Sequence, residues 1–194
     1  MPGIADTDVN VASNALVLIG SSPIASFDDN DAGAVVAKNI YEEIVEDSLT
    51  THPWRFASKQ TDALSRLTAA PDSLWDAQYQ IPTDTLTLRR VLVNNVDISY
   101  EVYGDKILCN ASSVDDVYAH VLFRALEQDW PPYFRLGVQL RLASVFAISV
   151  IQKPDIAASF ETKADFQMRK ARNVDSQIDT VPSINTKRFI NIRR

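Results

Sequence analysis

Asp28, Asp29 and Asp31 crowd into the stretch SSPIASFDDND, and Asp115 with Asp116 makes a second acidic pair. Neighbouring carboxylates can bind a divalent cation. They can also divide into a general acid and a general base when their surroundings push their pKa values apart. With His52 at the far end of the following segment, Asp28 and Asp29 are the material of a small hydrolytic site. The competing reading is structural. Each acidic group immediately precedes or punctuates an element, and aspartate is favoured in turns and at helix starts because its carboxylate accepts from nearby backbone N–H groups.

Other chemistry has less material. The two histidines, His52 and His120, form no i, i+4 pair and neither adjoins a cysteine, so the spacing of a structural zinc site is missing. The five glycines, Gly3, Gly20, Gly33, Gly104 and Gly137, are too scattered for a P-loop or a dinucleotide fingerprint, and there is no G-x-S-x-G elbow. Cys109 stands between Leu108 and Asn110 in a strand-like run, where a small buried apolar residue fits better than a catalytic thiol. His120 alternates with Tyr118 and suits a surface or half-buried strand position. No catalytic residue, metal ligand or cofactor is assigned, and a non-enzymatic role is expected.

The elements that would position these residues follow from periodicity. Apolar residues at helical spacing predict a helix over about residues 7–19, closed by Gly20, and a second from Asn30 or Asp31 to about residue 51. Between them Pro23 forces an extended path, with Ile24 and Phe27 as anchors. His52 before Pro53 is pushed out of helical geometry, so the second helix stops there. From Phe56 to about Arg124 short runs rich in Val, Ile, Leu, Thr and Tyr predict an antiparallel meander or small sandwich. Its clearest hairpin is SYEVYGDKILCN, with Gly104 and Asp105 at the turn. Helices return over about residues 131–153 and 155–178. The first of these is apolar nearly all round, so it should be buried on more than one side. The fold predicted is α+β: a four-helix bundle of residues 1–56 and 129–180, a β-rich insertion at 57–128, and an extended C-terminal arm at 181–194.

Length, 46% apolar composition and one cysteine suit a single compact body without a disulfide. No basic start followed by an apolar run marks a signal peptide, and no window approaches the roughly 18 apolar residues of a membrane span. A protein made in a reducing cytoplasm, with no membrane partner, is expected. Net charge is −6, but the last twelve residues, SINTKRFINIRR, hold four basic residues and no acid, leaving 15 basic against 25 acidic residues in the rest. An acidic body is a poor grip for nucleic acid, which is bound by Lys and Arg displacing counterions. The basic arm has the chemistry to bind DNA or an acidic protein groove.

Aromatic residues gather at the junctions: Trp54 and Phe56 beside Pro53, Trp75 near Tyr79, and Trp130 with Tyr133 and Phe134. They either plug the seam between helices and strands or serve as subunit-contact anchors. The first group, in THPWRFASK, reads as a hinge plug that sets the angle between the second helix and the strands.

The order of these motifs resembles the tail tubular protein A family, the gatekeeper or head-to-tail adaptor proteins of tailed bacteriophages. The similarity is carried by an AL..IG helix end (Leu16, Gly20), a loop with Pro23, Phe27 and Asp28, a long helix, the PW.F corner (Pro53, Trp54, Phe56), and YQIPTD (Tyr79, Pro82, Asp84). FRLGVQLRLASVFA and the mixed-charge helix after it resemble the closing helix pair. The resemblance implies a structural virion protein of the neck or tail, assembled in the host cytoplasm. It implies a dodecameric ring beneath the portal protein, joined below to a tail or nozzle protein, with double-stranded DNA passing through the lumen unbound. It also implies a portal-binding arm, carried here onto Ile184, Lys187, Arg188, Phe189, Ile190, Ile192, Arg193 and Arg194. A neck or tail-completion protein lower in the tail, and a DNA-binding protein acting through the basic arm, are the alternatives.

Overall fold

The computed structural model describes residues 7–68 and 74–178. Among them the elements run α1 (Asp8–Leu18), α2 (Ala32–Thr50), β1 (Ser58–Gln60), β2 (Ala77–Gln80), β3 (Thr85–Val93), β4 (Val96–Ile98), β5 (Tyr100–Tyr103), β6 (Lys106–Cys109), β7 (Val117–Phe123), α3 (Pro132–Ser149) and α4 (Pro154–Gln177). The helix ends have local causes. Thr7 caps α1 by accepting from the Asn10 N–H at 3.3 Å, and Asp31 caps α2 by accepting from Gly33 at 2.9 Å. At the end of α1, Gly20 takes φ +80°. The Ser21 and Gly20 N–H groups then reach back to Leu16 O and Val17 O at 3.1 and 3.0 Å, which satisfies two carbonyls the helix leaves open. Pro154 opens α4, where a missing N–H costs nothing, after a turn in which Gln152 has φ +53°.

The predicted four-helix bundle with a strand insertion is not what forms. The chain is α+β, with four helices and two antiparallel sheets. All four helices feed one apolar core, but they share it unequally: α3 is the hub, α1, α2 and α4 each pack on it, and α1 meets α2 only lightly. The reason lies in the buried faces. α3 buries Phe134, Val138, Leu142, Ala143, Phe146 and Ala147 around much of its circumference, whereas α4 buries a narrow stripe of Ala157, Ala164, Met168 and Ala171 and can cover only one side of its neighbour. Two glycines set the close approaches. A Cβ at Gly137 would stand 2.7 Å from Met168 Sδ, and one at Gly33 would stand 2.9 Å from Leu16 Cδ1.

The strands make a second body of structure with its own core. One sheet has the order β1-β7-β3-β4 and the other β2-β6-β5, with every pairing antiparallel. Val91, Val117, Ala119 and Val121 from the first sheet meet Ala77, Tyr79, Ile107 and Cys109 from the second. These residues alternate along their strands, so each sheet turns one face to the other. Burial pushes the Cys109 thiol up to about 11, in keeping with an apolar role. The run DISYEVYG breaks at Ser99. Its first part, β4, pairs with β3 across a turn in which Asn94 and Asn95 have φ 49° and 67°, and its second part, β5, pairs with β6 in the other sheet. The short β1, paired with β7, was not foreseen.

Among the described residues no helix is long and apolar enough to cross a membrane. The close approach of Leu16 to Gly33 makes Gly33→Val an overpacking change, expected to lower stability by about 1–3 kcal/mol in urea unfolding. A variant as stable as the parent would mean that Leu16 can move aside freely.

Candidate functional site

The corner after α2 is where the structure concentrates its specific interactions. Thr51, His52 and Pro53 turn the chain out of the helix, and Arg55–Ala57 form one 3-10 turn leading into β1. Trp54 is fully buried, and its indole N–H donates to Ser48 O at 2.9 Å, so the ring is anchored to the last turn of the helix it follows. Its face meets Phe134 edge-on at 4.9 Å and His52 at 4.8 Å, while Phe56 packs on Phe134 at 4.9 Å and Trp130 on Phe134 at 5.2 Å. Two of the three aromatic groups seen in the sequence therefore form one cluster around Phe134. The third does not join it: Tyr79 is buried between the sheets, and the Trp75 indole donates to Glu101 at 2.9 Å.

A buried carboxylate from α4 closes the corner. Asp175, 2% exposed, accepts from the Arg55 N–H at 3.3 and 3.4 Å and from the Tyr133 hydroxyl at 3.2 Å, and it lies 3.5 Å from His52 Nε2. It thus joins the end of α2, the start of α3 and the last turns of α4. Burial and the neighbouring Asp175 charge raise the Tyr133 pKa. Burial pulls the His52 imidazole below its ordinary value, more than Asp175 pulls it up. Asp175 is not among the residues the sequence singles out, and Ile178 beyond it is 59% exposed. The signal was present. Ala164, Met168, Ala171 and Asp175 follow one another at helical spacing, so an acid occupies an apolar-face position.

A second polar network seals the seam between helices and strands. Arg124, at the end of β7, donates to Glu42 of α2 at 2.6 and 3.0 Å and to Glu127 at 2.6 Å, and Glu127 also accepts from the Tyr41 hydroxyl at 3.1 Å. Burial and the Glu127 carboxylate raise the Tyr41 pKa far above its ordinary value. The same guanidinium lies 5.6 Å from the Trp130 ring, which ties the network to the aromatic cluster.

The remaining predicted residues serve the framework and do not converge. Leu16 is fully buried in the helical core, and Phe27 packs on Tyr41 at 5.6 Å. Pro23 precedes Ile24, whose N–H donates to Ser13 Oγ at 3.2 Å. Lys38 beside Asp28 holds that exposed carboxyl below its usual range, at 2.8 Å. Asp29 accepts from the Ala25 and Ser26 N–H groups at 2.8 and 3.0 Å. Pro82 O accepts from Thr85 at 3.1 Å, and Asp84 pairs with Lys59. Asp115 accepts from Ser112 at 2.7 Å and from the Asn94 amide at 2.8 Å.

Asp28 and Asp29 precede α2 and His52 follows it, some 28 Å away along a helix of that length, so these three make no common site. Among the described residues no group of three or more His, Cys, Asp or Glu side chains is arranged to hold a metal ion. The arm residues Ile184, Lys187, Arg188, Phe189, Ile190, Ile192, Arg193 and Arg194 lie outside the described residues.

Trp54→Ala should lower stability by about 3–5 kcal/mol, the range for emptying a large buried aromatic site, as read by chemical unfolding. A loss below about 1 kcal/mol would remove the corner from its structural role. The histidines give a pH dependence of known sign. His52 is depressed by burial, and so is His120, by burial and Arg90. The unfolded chain therefore takes up protons more readily. Their contribution is full above the unfolded value of about 6.5 and is lost as pH falls through the lower folded values. The melting temperature should drop from about pH 7 to pH 5, with a shallower slope in His52→Gln and a still shallower one when His120→Gln is added. An unchanged slope in the double variant would refute the assignment. Compared with known proteins, the chain matches no protein-family model and no curated protein.

Proposed function

We propose that this chain is a non-catalytic virion protein, an adaptor that docks as a ring beneath the portal and joins a DNA-filled head to the tail. The observation that carries the reading is the order and spacing of its motifs, from the AL..IG helix end through the PW.F corner to YQIPTD. The positions of those residues are in keeping with it. Leu16, Trp54 and Tyr79 are buried and Gly20 makes a helix-ending turn, positions that suit a framework role for the motifs. A connector works by holding surfaces at fixed angles, and the corner held by Trp54 and Asp175 is a device of that kind.

Charge suits the same role. An acidic lumen repels the DNA backbone and lets a duplex slide without adhering. The basic, apolar-spotted arm is the portal-binding element in this reading, and a tail or nozzle protein takes the opposite side of the ring. The test is the mass in solution, by light scattering or native mass spectrometry, of the protein alone and mixed with the portal from the same genome. A ring formed alone or on mixing is expected. A monomer that ignores the portal would overturn the adaptor role. Steep salt-dependent binding to random duplex DNA by such a monomer would favour the DNA-binding alternative.

A further inference from the structure

α2, α3 and α4 line an open groove of about 380 Å³. Its apolar lining includes Ile44 and Val145, both half-buried. Its walls are acidic: α2 contributes Glu43 and Asp47, and α4 contributes Glu161 and Asp165. Each wall thus places two carboxylates at i, i+4 spacing, where like charges destabilise a helix. Only one of the four is neutralised. Arg141 reaches Asp47 at 2.5 Å, while Glu43, Glu161 and Asp165 make no ion pair among the described residues. An apolar floor between unneutralised acidic walls fits a peptide that alternates cations with apolar side chains.

The chain itself contains such a peptide. Within SINTKRFINIRR, Lys187, Arg188, Arg193 and Arg194 flank Phe189, Ile190 and Ile192, with no acid among them. Its reach is sufficient. Glu161 and Asp165 lie roughly 20–25 Å back along α4 from Ile178 at the helical rise. The stretch from Ile178 to Lys187 spans up to about 30 Å when extended. We propose that residues 187–194 fold back along α4 and dock in this groove of their own chain, their cations against Glu43, Glu161 and Asp165 and their apolar side chains over Ile44 and Val145. The inference does not rest on the adaptor reading. In an adaptor it would mean that the arm must leave this groove before it meets another partner.

Tryptic cleavage after Lys187 and Arg188, followed by intact mass in the full-length protein at low salt, tests the docking. Cleavage should be at least about 10-fold slower than in the Glu43→Gln/Glu161→Gln/Asp165→Gln variant, because docking hides the bonds while the open fraction sets the rate. At about 0.5 M salt, where charges are screened over a few ångströms, the parent should approach the variant's rate. Thermal unfolding of the variant checks that it folds. Should it not, zero-length carbodiimide coupling in the parent gives an independent reading, with a Lys187–Glu161 or Lys187–Asp165 crosslink expected within monomers. Equal cleavage rates, or no such crosslink, would overturn the proposal. So would protection that grows with protein concentration, which would assign the groove to the segment of a second copy.

Discussion

A carboxylate removed from water costs several kcal/mol unless donors replace its hydration, and this fold places one, Asp175, where three parts of the chain meet. Its oxygens accept from the Arg55 backbone and the Tyr133 hydroxyl and face His52, so the corner, α3 and α4 must be positioned together for any of them to be satisfied. The aromatic cluster alone would tolerate small slips, since ring contacts have broad geometry. A buried acceptor with directional partners does not. The angle at which the chain leaves α2 for the strands is therefore held by Trp54 together with a residue 120 positions downstream of Arg55.

The rest of the architecture follows from the question of which faces can be covered. α3 is apolar nearly all round and takes the centre of the helical part, while α4 brings a narrow stripe of small residues and lies against one side of it. Gly137 and Gly33 allow the close approaches that this needs. The strands bury a different set of side chains, and the break at Ser99 divides one extended run between two sheets. The Arg124, Glu42, Glu127 and Tyr41 network adds charge-assisted hydrogen bonds at the seam, where Leu86 and Phe123 of the strands also pack on the helical core.

Residues that looked capable of chemistry mostly do local work. Asp28, Asp29, Asp31 and Asp115 accept from nearby backbone or side-chain donors, as aspartate does in turns and caps. A further group of carboxylates, Glu43, Asp47, Glu161 and Asp165, comes together only in the groove that α2 and α4 wall. The proposed function accordingly rests on the order and spacing of motifs along the chain.

By itself the sequence determined the helices closely, the hairpin at Gly104, the small apolar role of Cys109 and the structural use of Trp54, because caps, prolines, glycines and side-chain period act over a few residues. It did not determine how those pieces are shared between cores. Periodicity shows that a face must be buried but not what buries it, so four amphipathic helices read as a bundle although only α3 is a common partner. The pairing of β1 with β7, the division at Ser99 and the seat of Asp175 were decided by tertiary structure. Each depends on groups far apart in the chain, and the partners that make burial of a carboxylate tolerable exist only after folding has brought them together.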